Sequence, residues 1–220
     1  ASAHAQADMA KVLRASFPVA ETGFDPQAAG DIYSNAVNRV IFDAPYKYDH
    51  LARPMKLVPN TAVALPEITD GGKTWTIRIR PGIHFSDDPV FKGQQRELTA
   101  ADYVYSWKRI LDPRMRSNAL NVVEGRFLDP DGTIARARAA GQLDLDAKIE
   151  GLQAIDRYTI RLRLNFPDAE LLSNLATSQF GAVAREVIEA HRDASGWAMA
   201  NPVGTGPYRL KEWRRGQKIV

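Results

Sequence analysis

Across residues 68–88 apolar and polar positions alternate with a period of two. Trp75, Ile77 and Ile79 fall on one side, and Thr74, Thr76, Arg78 and Arg80 on the other. That alternation predicts a strand with one buried face. The turn signal Asp70-Gly71-Gly72 precedes it and Pro81-Gly82 turns the chain after it. Ile83 and Phe85 then resume the pattern until Asp87-Asp88. An apolar strand face needs a partner layer, so a small sheet-based lobe is expected here. Residues 151–164 alternate again, through Ile155, Tyr158, Ile160, Leu162 and Leu164, around a turn at Asp156-Arg157. This reads as a hairpin that pairs in the same sheet as residues 75–80.

Helical spacing appears elsewhere. Thr99 with Asp102 three residues on forms a capping box. Val104, Trp107 and Leu111 then give one apolar face, and Asp112-Pro113 ends the helix. Residues 31–42 read as a helix with Asp31 as N-cap. Shorter helices are expected at 134–140, 143–149, 171–175 and 185–192. Residues 12–17 read as a first strand stopped by Pro18, and 208–213 and 218–220 as later strands. Residues 21–26 and 201–207 are loops, since glycine permits unusual dihedrals and proline restricts its predecessor. Pro45, Pro54 and Pro59 break up residues 43–65, an expected extended loop in which Tyr46, Tyr48 and the basic run 53–56 lie on the surface or else contact a ligand or partner. Residues 89–97 are a charged insertion, and Asp129-Pro130-Asp131-Gly132 is a turn.

Composition narrows the function classes. The 220 residues suit one large domain or two small lobes. No apolar run reaches membrane-span length. A net charge of +3 is spread along the chain, which argues against nucleic acid as a partner. Without cysteine there is no disulfide, thiol catalysis or cysteine-based zinc site. The small residues alternating at 1–7 look like the end of a signal peptide, or equally like an unstructured start. His4, His50, His84 and His191 lack metal-ligand spacing. No G-x-S-x-G elbow or phosphate loop is present, and Asp129-x-Asp131-Gly132 lacks the distal Glu of a calcium loop. Asp144 and Asp146 read as solvent-facing, and no two carboxylates have a reason to share a cleft. No cofactor or metal is expected.

Three stretches together carry a resemblance: residues 68–88, the helix 98–109 (Leu-Thr-Ala-Ala-Asp-Tyr-Val-Tyr-Ser-Trp-Lys-Arg), and Asn201-Pro202-Val203-Gly204-Thr205-Gly206-Pro207-Tyr208. In that order they resemble the family 5 extracellular solute-binding proteins, which deliver oligopeptides and dipeptides to ABC importers. The likeness runs from Lys11 onward. It implies an α/β (mixed α+β) fold, type II-like among periplasmic binding proteins, with an extra sheet-based lobe. The chain stops inside a strand and reads as an N-terminal fragment; a complete member is implied to be roughly double this length. The implied organisation is a middle lobe at 43–184, an unfinished first lobe from 1–42 and 185–220, and a further lobe outside the chain.

The resemblance further implies a periplasmic protein that binds peptide between lobes without converting it and hands it to an inner-membrane ABC permease. A monomer is expected. Gly30, Asp31, Ile32 and Tyr33 occupy the positions from which family members touch the bound peptide's backbone, where exposed N–H and C=O groups extend it as an extra strand. The competing reading is helix capping by Asp31 and core packing by Ile32. Two departures bear on the ligand. Where peptide binders often carry an aromatic, this chain has Ser117-Asn118-Ala119, and the family's acid for a peptide's amino terminus lies in the further lobe. Nickel complexes, haem, opines and sugars are also carried by relatives. With half the cleft outside the chain, weak peptide binding or none is expected of residues 1–220. A hydrolase or transferase with an unrecognised site and a plain interaction module are the alternatives from other classes.

Overall fold

The structure is a computed structural model that describes residues 11–220, so the small-residue stretch at 1–7 lies outside the described residues. In chain order the elements are α1 (Ile32–Ile41), β1 (Tyr46–Asp49), β2 (Lys56–Pro59), β3 (Glu67–Thr69), β4 (Thr74–Arg78), α2 (Ala100–Leu111), α3 (Leu120–Val123), α4 (Thr133–Ala140), β5 (Leu152–Ala154), β6 (Thr159–Arg163), α5 (Leu171–Asn174), α6 (Arg185–His191), β7 (Trp213–Arg214) and β8 (Lys218–Ile219).

The two alternating stretches meet as expected. β3, β4, β6 and β5 form one antiparallel sheet in that order. Trp75 faces Leu162 and Ile77 faces Ile160 across the β4–β6 register. Period-two alternation puts all four on one face, and none is more than 3% exposed. α2 covers this face with Tyr103 and Trp107, both fully buried in the main core. The Trp107 indole N–H donates to the Phe180 carbonyl at 3.0 Å, which ties α2 to the segment before α6. Thr99 donates its N–H and its hydroxyl to the Asp102 carboxylate, each at 2.8 Å, so the capping box forms. Arg96, from the charged insertion, reaches Asp102 at 2.6 Å and Glu186 at 2.6 Å and so joins the starts of α2 and α6.

Four expectations are corrected. Residues 12–17 form no strand: Val12 and Leu13 are exposed and have no ladder partner among the described residues. Residues 43–65 are more ordered than an extended loop, because β1 and β2 pair as a hairpin with Tyr46 opposite Pro59. The prolines fall at the strand ends and in the turn, where no ladder hydrogen bond is lost, and Tyr46 is buried, not on the surface. Residues 143–149 are not a helix, because their backbone is held from outside. Lys108 Nζ donates to the carbonyls of Leu145 (3.0 Å) and Ala147 (2.7 Å), and the Leu143 N–H donates to Asp112 at 3.3 Å. The strand expected over 208–213 shrinks to β7, since the Tyr208 N–H is already bonded to the Val40 carbonyl.

Candidate functional site

The segment before α1 is held by a buried polar network. Asp25 and Arg109 are each 1% exposed. The Asp25 carboxylate accepts from Arg109 Nη2 at 2.5 Å and Nη1 at 3.1 Å, and from the Ala198 N–H at 2.9 Å. Arg109 also donates to Gln27 Oε1 at 2.5 Å and to the Gly196 carbonyl at 3.2 Å. Gln27 in turn donates to the carbonyls of Gln179 and Gly181. One guanidinium in α2 therefore fixes the loop at 25–27 against residues 196–198, and Gln27 extends the tie to residues 179–181. Every donor and acceptor named here is matched, which is the condition for a buried ion pair to hold a fold in place. Sequence reasoning missed this pair, whose members stand 84 residues apart.

From this anchor the chain runs through Ala28 and Ala29 to Gly30 and the start of α1. Asp31 caps the helix. Its Oδ1 accepts from the N–H groups of Tyr33 (3.0 Å) and Ser34 (2.8 Å), and its Oδ2 from the Thr22 hydroxyl at 2.5 Å. Partial burial on its own raises the Asp31 pKa, but the hydrogen bonds from Ser34 and Thr22 outweigh it and hold the carboxyl at about 2. The capping reading of Asp31 therefore holds, and its side chain is committed within the protein. The core-packing reading of Ile32 does not hold: Ile32 is 73% exposed. Tyr33 is half-buried and stacks on Phe17 with ring centroids 5.0 Å apart. Gly30 is exposed and lies against Asn118; a Cβ built on Gly30 would stand 1.6 Å from Asn118 Nδ2.

The structure thus gathers Gly30, Asp31, Ile32 and Tyr33 along one edge and adds a residue the sequence showed only as a missing aromatic. Asn118 is exposed, and its amide has no hydrogen-bond partner among the described residues. The main chain of the edge is open as well. The N–H groups of Gly30 and Asp31 and the Gly30 carbonyl take no partner among the described residues, and Gly30 is exposed, whereas Ala29 before it is buried. An open hollow of about 520 Å³, lined by Phe17, Val37 and Gly216 among others, adjoins this region. Among the described residues no group of three metal-ligating side chains occurs. His191 lies 4.0 Å from Asp88 and His84 bridges to Glu97 through its backbone.

An antiparallel sheet under a capped helix thus carries a polar-anchored loop that leads to an exposed main chain at Gly30. The chain shares the fold of OppA from Burkholderia pseudomallei, with a TM-score of 0.71 and 24% identity over 92% of this chain and 36% of that one. In sequence it is similar to the "Peptide transport periplasmic protein SapA" of Salmonella typhimurium, 28% identical over 89% of this chain and 33% of that protein. It is similar also to "Di/tripeptide-binding protein 2" of Pseudomonas aeruginosa, 27% identical over 95% of this chain and 37% of that protein. The family model described as bacterial extracellular solute-binding proteins, family 5 Middle, matches residues 56–220. The chain belongs to the family 5 extracellular solute-binding proteins. It spans about a third of the length of the relatives it matches, not half.

Proposed function

We propose that this chain supplies one wall of the peptide site in a periplasmic substrate-binding component of an ABC importer, which takes up its ligand without chemical conversion. The observation that carries this reading is the main chain at Gly30 and Asp31, whose N–H groups take no partner among the described residues, beside an Asn118 amide that takes none either. A ligand that must be held whatever its side chains is best gripped through its backbone. The Asp31 carboxylate is spent on the helix start and Thr22, so the main chain of the edge is what meets the ligand. The names of the two relatives, one for peptide transport and one for di- and tripeptides, support a peptide as the ligand class.

In this reading Asn118 takes the place of an aromatic contact and offers a hydrogen bond to the peptide backbone instead. The lobes divide as 43–184 and, for the second, 1–42 with 185–220. The larger core cluster, drawn mostly from the first range, supports that division, and a smaller one joins Ile41, Phe42, Ile188 and Ala198 to Tyr105 and Val183 across the boundary. The working protein is a monomer that docks on an inner-membrane permease after the ligand is enclosed.

Amide chemical-shift perturbation tests this. Titrating the labelled chain with a mixture of di- to pentapeptides is expected to move the resonances of residues 30–33 and the Asn118 side-chain amide, with weak, fast exchange. Shifts confined to other regions would overturn the reading.

A further inference from the structure

The β1–β2 hairpin stands apart from the four-stranded sheet and pairs only with itself. Its last register pair is Asp49 with Lys56, so residues 50–55 form the tip. Leu51 is 79% and Met55 78% exposed at that tip. The two apolar side chains share one six-residue turn, and the rest of the described chain covers neither. Cations surround them. Lys47, Arg53 and Lys56 are exposed and form no ion pair among the described residues. The one carboxylate here, Asp49, accepts from the Leu51 N–H at 3.0 Å and shapes the turn. Arg53 donates to the carbonyls of His50 and Ala52, which holds its guanidinium at the rim of the tip.

The geometry points to an anionic lipid surface as the occupant, and we propose that this hairpin is a shallow membrane-contact tip. Lys47 lies two residues behind Asp49 on β1, roughly 7 Å back at strand rise. That is the depth over which interfacial segments sink their apolar groups while their cations stay among headgroups. A protein surface would need a matching groove for two isolated apolar side chains; a bilayer needs none. The combination of an apolar tip and an unpaired cationic collar is the two-part signal for reversible attachment to phosphate-bearing lipid. The proposal rests on the preceding reading only for the nearness of a membrane, and vesicle binding fails or succeeds independently of peptide binding.

Flotation with vesicles separates the outcomes. The chain is expected to partition about tenfold more strongly onto phosphatidylcholine vesicles containing phosphatidylglycerol than onto phosphatidylcholine alone. Arg53→Glu with Lys56→Glu should abolish that gain. Leu51→Ser with Met55→Ser, which leaves the charge intact, should reduce it by about tenfold. Equal partition on both vesicle types overturns the proposal. So does full retention by the serine variant, together with equal capture on polyglutamate beads, which would mark a plain charge patch for an acidic protein. A Leu51→Trp reporter gives an independent reading: its emission should shift blue on the anionic vesicles, and no shift overturns the inference.

Discussion

Removal of the Asp25 carboxylate is the most exacting test of how the candidate site is held. In Asp25→Ala the Arg109 guanidinium stays in a position where its side chain is 2% exposed. It loses its two bonds to Asp25 and keeps Gln27 and Gly196. The Ala198 and Gln27 N–H groups lose an acceptor as well. Breaking a buried pair from one side costs about 3–5 kcal/mol, most of it the uncompensated charge. At roughly 3 °C per kcal/mol for a chain of this size, the midpoint of thermal unfolding should fall by about 10 °C. Urea denaturation followed by tryptophan fluorescence measures the loss directly. Adding Arg109→Met removes the stranded charge and fills its volume, so the double variant should regain about 1–3 kcal/mol over Asp25→Ala. A loss below about 1 kcal/mol in Asp25→Ala, or a double variant no more stable than the single, would refute the anchoring role.

Asp31→Ala should cost about 1 kcal/mol by loss of the helix cap. Because the folded Asp31 carboxyl is held at about 2, below its ordinary value of 3.8, its stabilisation is full above the ordinary value and fades as pH falls toward the folded one. Acid titration of unfolding should therefore show a shallower loss between those values in Asp31→Asn than in the parent. Gly30→Ala should leave the melting temperature nearly unchanged, since only the end of the Asn118 side chain must swing away, yet weaken the peptide-induced shifts. Gly204→Ala should instead destabilise by more than about 2 kcal/mol. Its Cβ would stand 2.0 Å from the Ile41 carbonyl oxygen, a backbone atom that cannot swing aside; equilibrium urea unfolding checks it.

The four-stranded sheet and α2 were legible because their signals are local and agree with one another. Period two marked β4 and β6, and the Thr99–Asp102 box marked the helix start. What the sequence hid was long-range. Residues 143–149 look helical by composition, but their carbonyls are taken by Lys108, which stands 37 and 39 residues away from its two acceptors. The Asp25–Arg109 pair spans 84 residues, and nothing near either residue announces the other. Residues 12–17 have strand composition, yet composition is no substitute for a neighbour to pair with. At the candidate site the sequence supplied the edge 30–33 by resemblance and the absence of an aromatic at 117–119. Only the fold shows that Asn118 rests on Gly30.

The arrangement of satisfied and open groups argues about function more strongly than any single residue. Around Gly30 the Asp31 carboxylate turns to the helix start and Thr22, and the Ser34 hydroxyl to the Thr22 and Gly23 N–H groups. Among the described residues the groups left free here are peptide N–H and C=O, the Asn118 carboxamide and the Tyr33 hydroxyl, which donate and accept hydrogen bonds at no net charge. Those groups match another peptide backbone, whose spacing they share, and they are indifferent to the side chains it carries. The rigid tie through Arg109 supplies the other requirement, because an edge that recognises geometry alone has to keep its own geometry when nothing is bound.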